Sequence, residues 1–192
     1  MIKGIKRLWR GVSQTAPAPE AEVSVLMVCM GNICRSPTAE AVLRTHLERA
    51  GLQGRVLVDS AGTHGYHTGE PPDLRAIQHA AQRGYALHAL RARPVTEGDF
   101  QRFDRILAMD ADNLAWLQRK APAGSAARLA LLMTHAERHA TVLAVPDPYY
   151  GPPAGFDHVL DLVEDACAGL VQALARELES ETPSGSPSAK LD

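Results

Sequence analysis

Two hydrophobic periods take turns along this chain. Val23 to Val28, VSVLMV, is apolar at almost every position, the pattern of a strand buried on both faces. From Pro37 to Ala50 the spacing changes to that of a helix, with Ser36 reading as its N-cap, Pro37 as its first helical residue and Glu40 in its first turn. A second strand is predicted over Val56 to Ser60, and a second helix over Leu74 to Arg83, closed by Gly84. Arg105 to Met109 predicts a third strand, Asn113 to Lys120 a helix, Leu129 to Met133 a fourth strand and Phe156 to Leu178 a long final helix. This alternation predicts an α/β fold, a three-layer sandwich with a central four-stranded parallel sheet. In such sheets the working site lies beyond the C-terminal ends of the strands.

The flanks break the rhythm. Residues 13–22, SQTAPAPEAE, read as a linker, and 181–192, ETPSGSPSAKLD, as a disordered tail, which leaves 23–180 as the folded domain. Ahead of the linker, Ile2, Ile5, Leu8, Trp9 and Val12 stand at helical spacing with Lys3, Lys6, Arg7 and Arg10 between them. Residues 2–12 read either as a short basic amphipathic helix making a weak contact with an anionic membrane or a partner, or as a frayed terminus.

Composition narrows the function classes. A chain of 192 residues, 45% hydrophobic, has enough apolar content for one real core and no room for a second catalytic domain. A formal net charge of −2 is not that of a polycation, so nucleic acid is not an expected partner. Three cysteines without a secretory signal predict free thiols and a cytoplasmic setting. The longest apolar run falls far short of the roughly 18 residues of a membrane span.

The chemistry concentrates after the first strand, in VCMGNICRSPTAE. Five residues separate Cys29 from Arg35, and a helix follows at once. So short a loop, with Gly31 giving it backbone freedom, turns successive N–H groups of Met30 to Arg35 inward as an anion cradle. The helix N-terminus adds partial positive charge, and the Arg35 guanidinium offers a planar fork for two oxygens of a tetrahedral dianion. The same field favours the thiolate, the nucleophilic form of cysteine. Phosphoryl transfer to sulfur is the expected chemistry.

These residues resemble the signature of the low-molecular-weight protein tyrosine phosphatases. The resemblance continues through DSAGTHGYHTGEPPDLRA, ARPVTEGDFQRFDRILAMDADNL and VPDPYYG, across nearly all of 23–178. It implies a Rossmann-like fold and hydrolysis of phosphotyrosine through a phosphocysteine intermediate, with no cofactor and no metal. By the same resemblance Cys29 is the nucleophile, Arg35 and the loop of Met30, Gly31, Asn32, Ile33 and Cys34 bind the phosphoryl group, and Asp147 is the general acid and then the base. Asn32, Ser36 and Ser60 form the supporting shell, and Ile33, Tyr66, Tyr149 and Tyr150 wall the substrate cleft. The implied partners are phosphotyrosine proteins and a tyrosine kinase, with inorganic phosphate as product and the enzyme a monomer or weak dimer.

The sequence departs from the family at one place. Members usually carry a histidine where Leu90 stands, hydrogen-bonded to the loop asparagine, so the support of Asn32 is left open, with His88 the nearest substitute. Cys34 reads both as a small apolar residue under the loop and as a redox partner that captures an oxidised Cys29 in a disulfide. Two other activities use this fold. Arsenate reduction needs a downstream cysteine pair, absent between Arg35 and Asp147, and arginine phosphatases tend to carry Thr at the position of Ile33. His135 and His139 are expected on the surface, without the glutamate placement of a zinc protease.

Overall fold

The protein's structure, a computed structural model, describes residues 21–181. The expectations for residues 2–12, for most of the linker and for the tail beyond residue 181 lie outside the described residues. Within them the chain forms β1 (Val23–Cys29), α1 (Arg35–Arg49), β2 (Val56–Gly62), α2 (Leu74–Gln82), α3 (Asp99–Arg102), β3 (Arg105–Ala108), α4 (Ala111–Lys120), β4 (Arg128–Leu131), a 3₁₀ turn (Leu132–His135) and α5 (Ala154–Glu181). The last helix thus runs past Leu178 and takes in Glu181, the first residue assigned above to the tail. Glu22, assigned to the linker, is held at the edge of the fold: its N–H donates to Arg55 O and its carboxylate pairs with the Arg55 guanidinium.

All four strands are parallel, in the order β2-β1-β3-β4. Every residue of β1 is buried because the strand has helices against both faces. Val25, Met27 and Cys29 face the larger core with α1 and α5, while Leu26 and Val28 face a smaller one with Phe100, Phe103, Ile106 and Leu117. The chain winds from β1 to β2 in one direction and then returns across β1 to β3 and β4. Between β1 and β3 the winding reverses, which opens a crevice at the C-terminal ends of those two strands.

Several element ends differ from the expected ones for physical reasons. Helix α1 starts at Arg35, with Cys34 in the cap position and no side-chain cap bond. Ser36 is therefore not a cap: its hydroxyl is drawn into the site instead. Pro37 is the third helical residue, still among those whose N–H has no partner within the helix, so the ring is tolerated there. Helix α4 starts two residues earlier than Asn113 because Asp110 caps it, accepting from Asn113 N at 2.7 Å. The fourth strand gives way to the 3₁₀ turn before Met133. Helix α3, only four residues long, has no periodicity to betray it. His135 and His139, expected on the surface, are half-buried there. His139 bonds the buried Asp165 at 2.9 Å, and burial together with the Arg105 charge lowers the pKa of His135. No helix among the described residues is long and apolar enough to cross a membrane.

Candidate active site

Cys29 ends β1 at the crevice, and the chain turns through residues 30–34 into α1. Four loop carbonyls are committed to surrounding segments: Cys29 O accepts from Thr63 N (2.9 Å), Met30 O from His64 N (3.0 Å), Ile33 O from Asp73 N (2.8 Å) and Cys34 O from Thr38 N (3.3 Å). No peptide bond here is cis. A trans peptide sets its N–H opposite its C=O, so the amides of Met30, Gly31, Cys34 and Arg35 point away from those segments, toward the concave side. The neighbouring β2 ends in Gly62, where a Cβ would lie 2.7 Å from Met30 O. Only glycine lets the loop pass so close.

The left-handed residue of the loop is not Gly31 but Asn32, at φ 57°. Asparagine accepts that conformation more readily than most residues, and here its side chain is fully engaged. Asn32 Nδ2 donates to Ser36 Oγ and to Ser60 Oγ, both at 2.9 Å, and Oδ1 accepts from Arg93 N at 2.9 Å. Ser60 in turn donates to Glu40 at 2.6 Å. Burial pushes the Glu40 carboxyl above its usual range, against the opposing pull of Ser60 and Arg44. Gly31 has a different reason to be small: a Cβ there would meet the His67 ring at 3.2 Å.

The question left by Leu90 is answered at Arg93. The Leu90 side chain packs against the larger core, and His88 is exposed. Asn32 takes its donor from the backbone of Arg93, whose guanidinium is clamped by Asp59 (2.9 Å) and Asp99 (2.9 Å). An anchored main-chain N–H stands where an imidazole was expected.

Two polar groups converge on the Cys29 sulfur. Asn32 N–H lies 3.3 Å from Sγ and Ser36 Oγ 3.1 Å. The single Ser36 hydroxyl proton has a second acceptor in Ala61 O at 3.2 Å.

Arg35 is buried, with only 3% of its side chain exposed. Its Nη1 donates to Asp110 Oδ2 (2.6 Å) and to Val145 O (3.2 Å), and its Nη2 to Asp147 Oδ2 (3.1 Å). Burial opposes its charge, but the Cys29 sulfur, Asp110 and Asp147 outweigh that, and the guanidinium is held above its ordinary pKa. Asp147 is half-exposed, and the turn before Pro148 is closed by Tyr149 N donating to Asp147 Oδ1 at 3.1 Å.

These groups border a cavity of about 440 Å³. Its base is Cys29 with Met30, Gly31, Ile33, Cys34 and Arg35; Tyr66 and His67 line it from the loop after β2, and Asp147, Tyr149 and Tyr150 from the segment before α5. Asn32, Ser36 and Ser60 stand behind the loop. Sequence reading missed two participants. Asp110 carried a visible signal, an aspartate just ahead of a helical pattern, but its second oxygen reaches Arg35, 75 positions away, which no local pattern reports. His67, bonded through Nδ1 to Glu70 at 2.7 Å, carried none.

A thiol at the end of a buried strand, an arginine at the start of the next helix and an aspartate bonded to that arginine line one cavity on a parallel α/β sheet, the arrangement of a phosphatase class. The profile of the low molecular weight phosphotyrosine protein phosphatases matches residues 24–180, and the chain belongs to that family of hydrolases. The low molecular weight protein-tyrosine-phosphatase of Streptomyces coelicolor is 46% identical over 158 residues, covering 81% of this chain and 95% of that one. The low molecular weight phosphotyrosine protein phosphatase of Homo sapiens is 37% identical over 155 residues, covering 81% and 98%. Among solved structures, the protein tyrosine phosphatase from Entamoeba histolytica superposes with a TM-score of 0.77 at 38% identity, covering 81% of this chain and 99% of that chain.

Proposed function

We propose that the protein removes phosphate from phosphotyrosine in proteins by two in-line displacements at Cys29. In the first, the thiolate attacks phosphorus, the S–P bond forms as the bond to the tyrosyl oxygen breaks, and Asp147 gives its proton to the departing phenolate. In the second, Asp147 takes a proton from water, the water oxygen bonds to phosphorus, and the S–P bond breaks to return thiolate and inorganic phosphate. Arg35 and the loop amides hold the equatorial oxygens throughout, where charge must be stabilised. The observation that carries this reading is the convergence of Asn32 N–H and Ser36 Oγ on the Cys29 sulfur, with Arg35 bridging to Asp147.

Ile33, Tyr66, Tyr149 and Tyr150 give the cleft apolar and aromatic walls, which suits a phenyl ring better than the alkyl guanidine of phosphoarginine. A tyrosine kinase that supplies the substrate, a reducing cytoplasmic setting and a monomer or weak dimer belong to the same reading. Rapid acid quench of the enzyme with ³²P-labelled p-nitrophenyl phosphate in EDTA tests it. The expected result is label on the Cys29 peptide as an acid-stable thiophosphate; label elsewhere, or turnover that needs a divalent ion, would overturn it.

Cys34 extends the reading to oxidation. Burial, reinforced by Asp73, Cys29 and Asp147, pushes its thiol pKa up, so it is a reluctant attacking group. Peroxide converts the Cys29 thiolate to a sulfenic acid, and Cys34 then attacks that sulfur, releasing water and forming a disulfide. Because so little Cys34 is thiolate, capture is slow and outrun by high peroxide. At a peroxide dose that carries an uncaptured sulfenic acid on to the sulfinic acid but leaves a disulfide intact, dithiothreitol restores wild-type activity but not that of Cys34→Ser. Equal recovery of the two proteins would remove Cys34 from this role.

A further inference from the structure

The first turn of α2 carries an arginine whose donors reach two separate segments. Arg75 is the second residue of that helix, which Asp73 caps by accepting from Arg75 N at 2.8 Å. The guanidinium grips the same carboxylate with both forks, Nε to Oδ1 at 3.0 Å and Nη2 to Oδ2 at 2.7 Å. Its remaining nitrogen, Nη1, crosses to the segment before α5 and donates to Tyr149 O at 3.1 Å. The plane also lies over two rings, with its carbon 5.4 Å from the Tyr149 centroid and 4.8 Å from that of Phe156.

Both ends of this fan touch the chemistry. Asp73 N donates to Ile33 O of the phosphate loop at 2.8 Å, and Tyr149 N donates to Asp147 Oδ1 at 3.1 Å. A continuous path therefore runs from Ile33 through Asp73, Arg75 and Tyr149 to Asp147. An exposed ion pair between neighbours on one helix turn is worth little. This one differs because the guanidinium spends its third nitrogen, and its π face, on a segment 74 residues away. A lysine offers one point charge and no planar fork, so it would not hold the carboxylate, the carbonyl and the rings together.

We propose that Arg75 is the positioning residue of the general acid, fixing the Asp147 segment against the phosphate loop. The inference rests on the reading of Asp147 as acid. Arg75 touches neither the phosphoryl group nor the leaving oxygen; it sets where the Asp147 carboxyl stands when that oxygen needs a proton. Misplacement by about 1 Å far from the bond being broken costs up to about 10²-fold in rate. The loss should therefore depend on how badly the leaving group needs that proton.

The test is a leaving-group series of aryl phosphates, from p-nitrophenyl to 4-methylphenyl phosphate, run on wild type, Arg75→Met, Asp147→Ala and the double variant. Arg75→Met is expected to lower kcat/KM, which reports the first displacement alone, by about 10- to 100-fold for 4-methylphenyl phosphate and by no more than about threefold for p-nitrophenyl phosphate. Added to Asp147→Ala it should cost almost nothing further, since both act through one proton. Equal losses across the series, or losses that add, would overturn the role of Arg75. If Asp147→Ala itself shows no leaving-group dependence, the reading of Asp147 fails instead. Should Arg75→Met not fold, Arg75→Lys, which keeps the charge but cannot span both partners, carries the same comparison.

Discussion

Cys29→Ser leaves a folded protein with essentially no turnover of aryl phosphates. The two side chains differ by one atom at a site only 3% exposed, and the Asn32 and Ser36 groups facing the sulfur still have an oxygen to meet. Packing and melting temperature should change little. The nucleophile is another matter, because a serine hydroxyl is almost wholly protonated at neutral pH and Asp147, read as the acid of that displacement, is not free to take its proton, whereas a thiolate is ready to attack. Loss of a covalent nucleophile costs about 10⁶-fold in kcat in well-studied hydrolases, and a fall of about 10⁵-fold or more is expected here. Activity and thermal melting measured together decide the matter. A variant retaining more than about 1% of wild-type turnover would remove Cys29 from the first displacement.

Arg35→Lys should be the next most damaging change, despite preserving the charge. The Arg35 fork spans Asp110, Val145 O and Asp147 from a nearly fully buried position, and a point ammonium on a flexible stem cannot serve three acceptors in one plane. Two equatorial oxygens of a transferring phosphoryl group ask for the same planar pair of donors. Removing one preorganised donor of this kind lowers kcat by about 10²–10³, or about 3–4 kcal/mol of barrier. The expected result is a loss of that size in kcat/KM together with weaker inhibition by vanadate. A decrease under about fivefold would mean that charge alone, without the fork, is what the site needs.

How much of this was legible beforehand follows from which interactions are local. β1 announced itself because a strand covered on both faces must be apolar throughout, and the parallel order followed from the alternation of periods. The Cys29 to Arg35 spacing is local too, and carried the chemistry. What stayed hidden is long-range or depends on one side chain serving two masters. Ser36 has the composition of a cap and the position of one, yet its hydroxyl faces Cys29, 7 residues back. Asp110 caps α4 with one oxygen and fixes Arg35 with the other. The replacement of the expected histidine by a backbone N–H at Arg93 could not be read from side-chain identities at all, since the donor is one that nearly every residue possesses. Arg75 gives no local sign of its role, because its partner Tyr149 lies 74 positions away.

The fully engaged Asn32 has a consequence for how the protein meets its own product. A loop held in its working shape by three side-chain bonds is rigid before anything enters it, so its fit cannot depend on the rest of the substrate. Such a cradle holds the product anion nearly as well as the phosphoryl group it came from, and binding that does not distinguish ground state from transition state adds nothing to kcat. Inorganic phosphate is therefore expected to inhibit competitively with substrate, which steady-state rates at rising phosphate concentrations check.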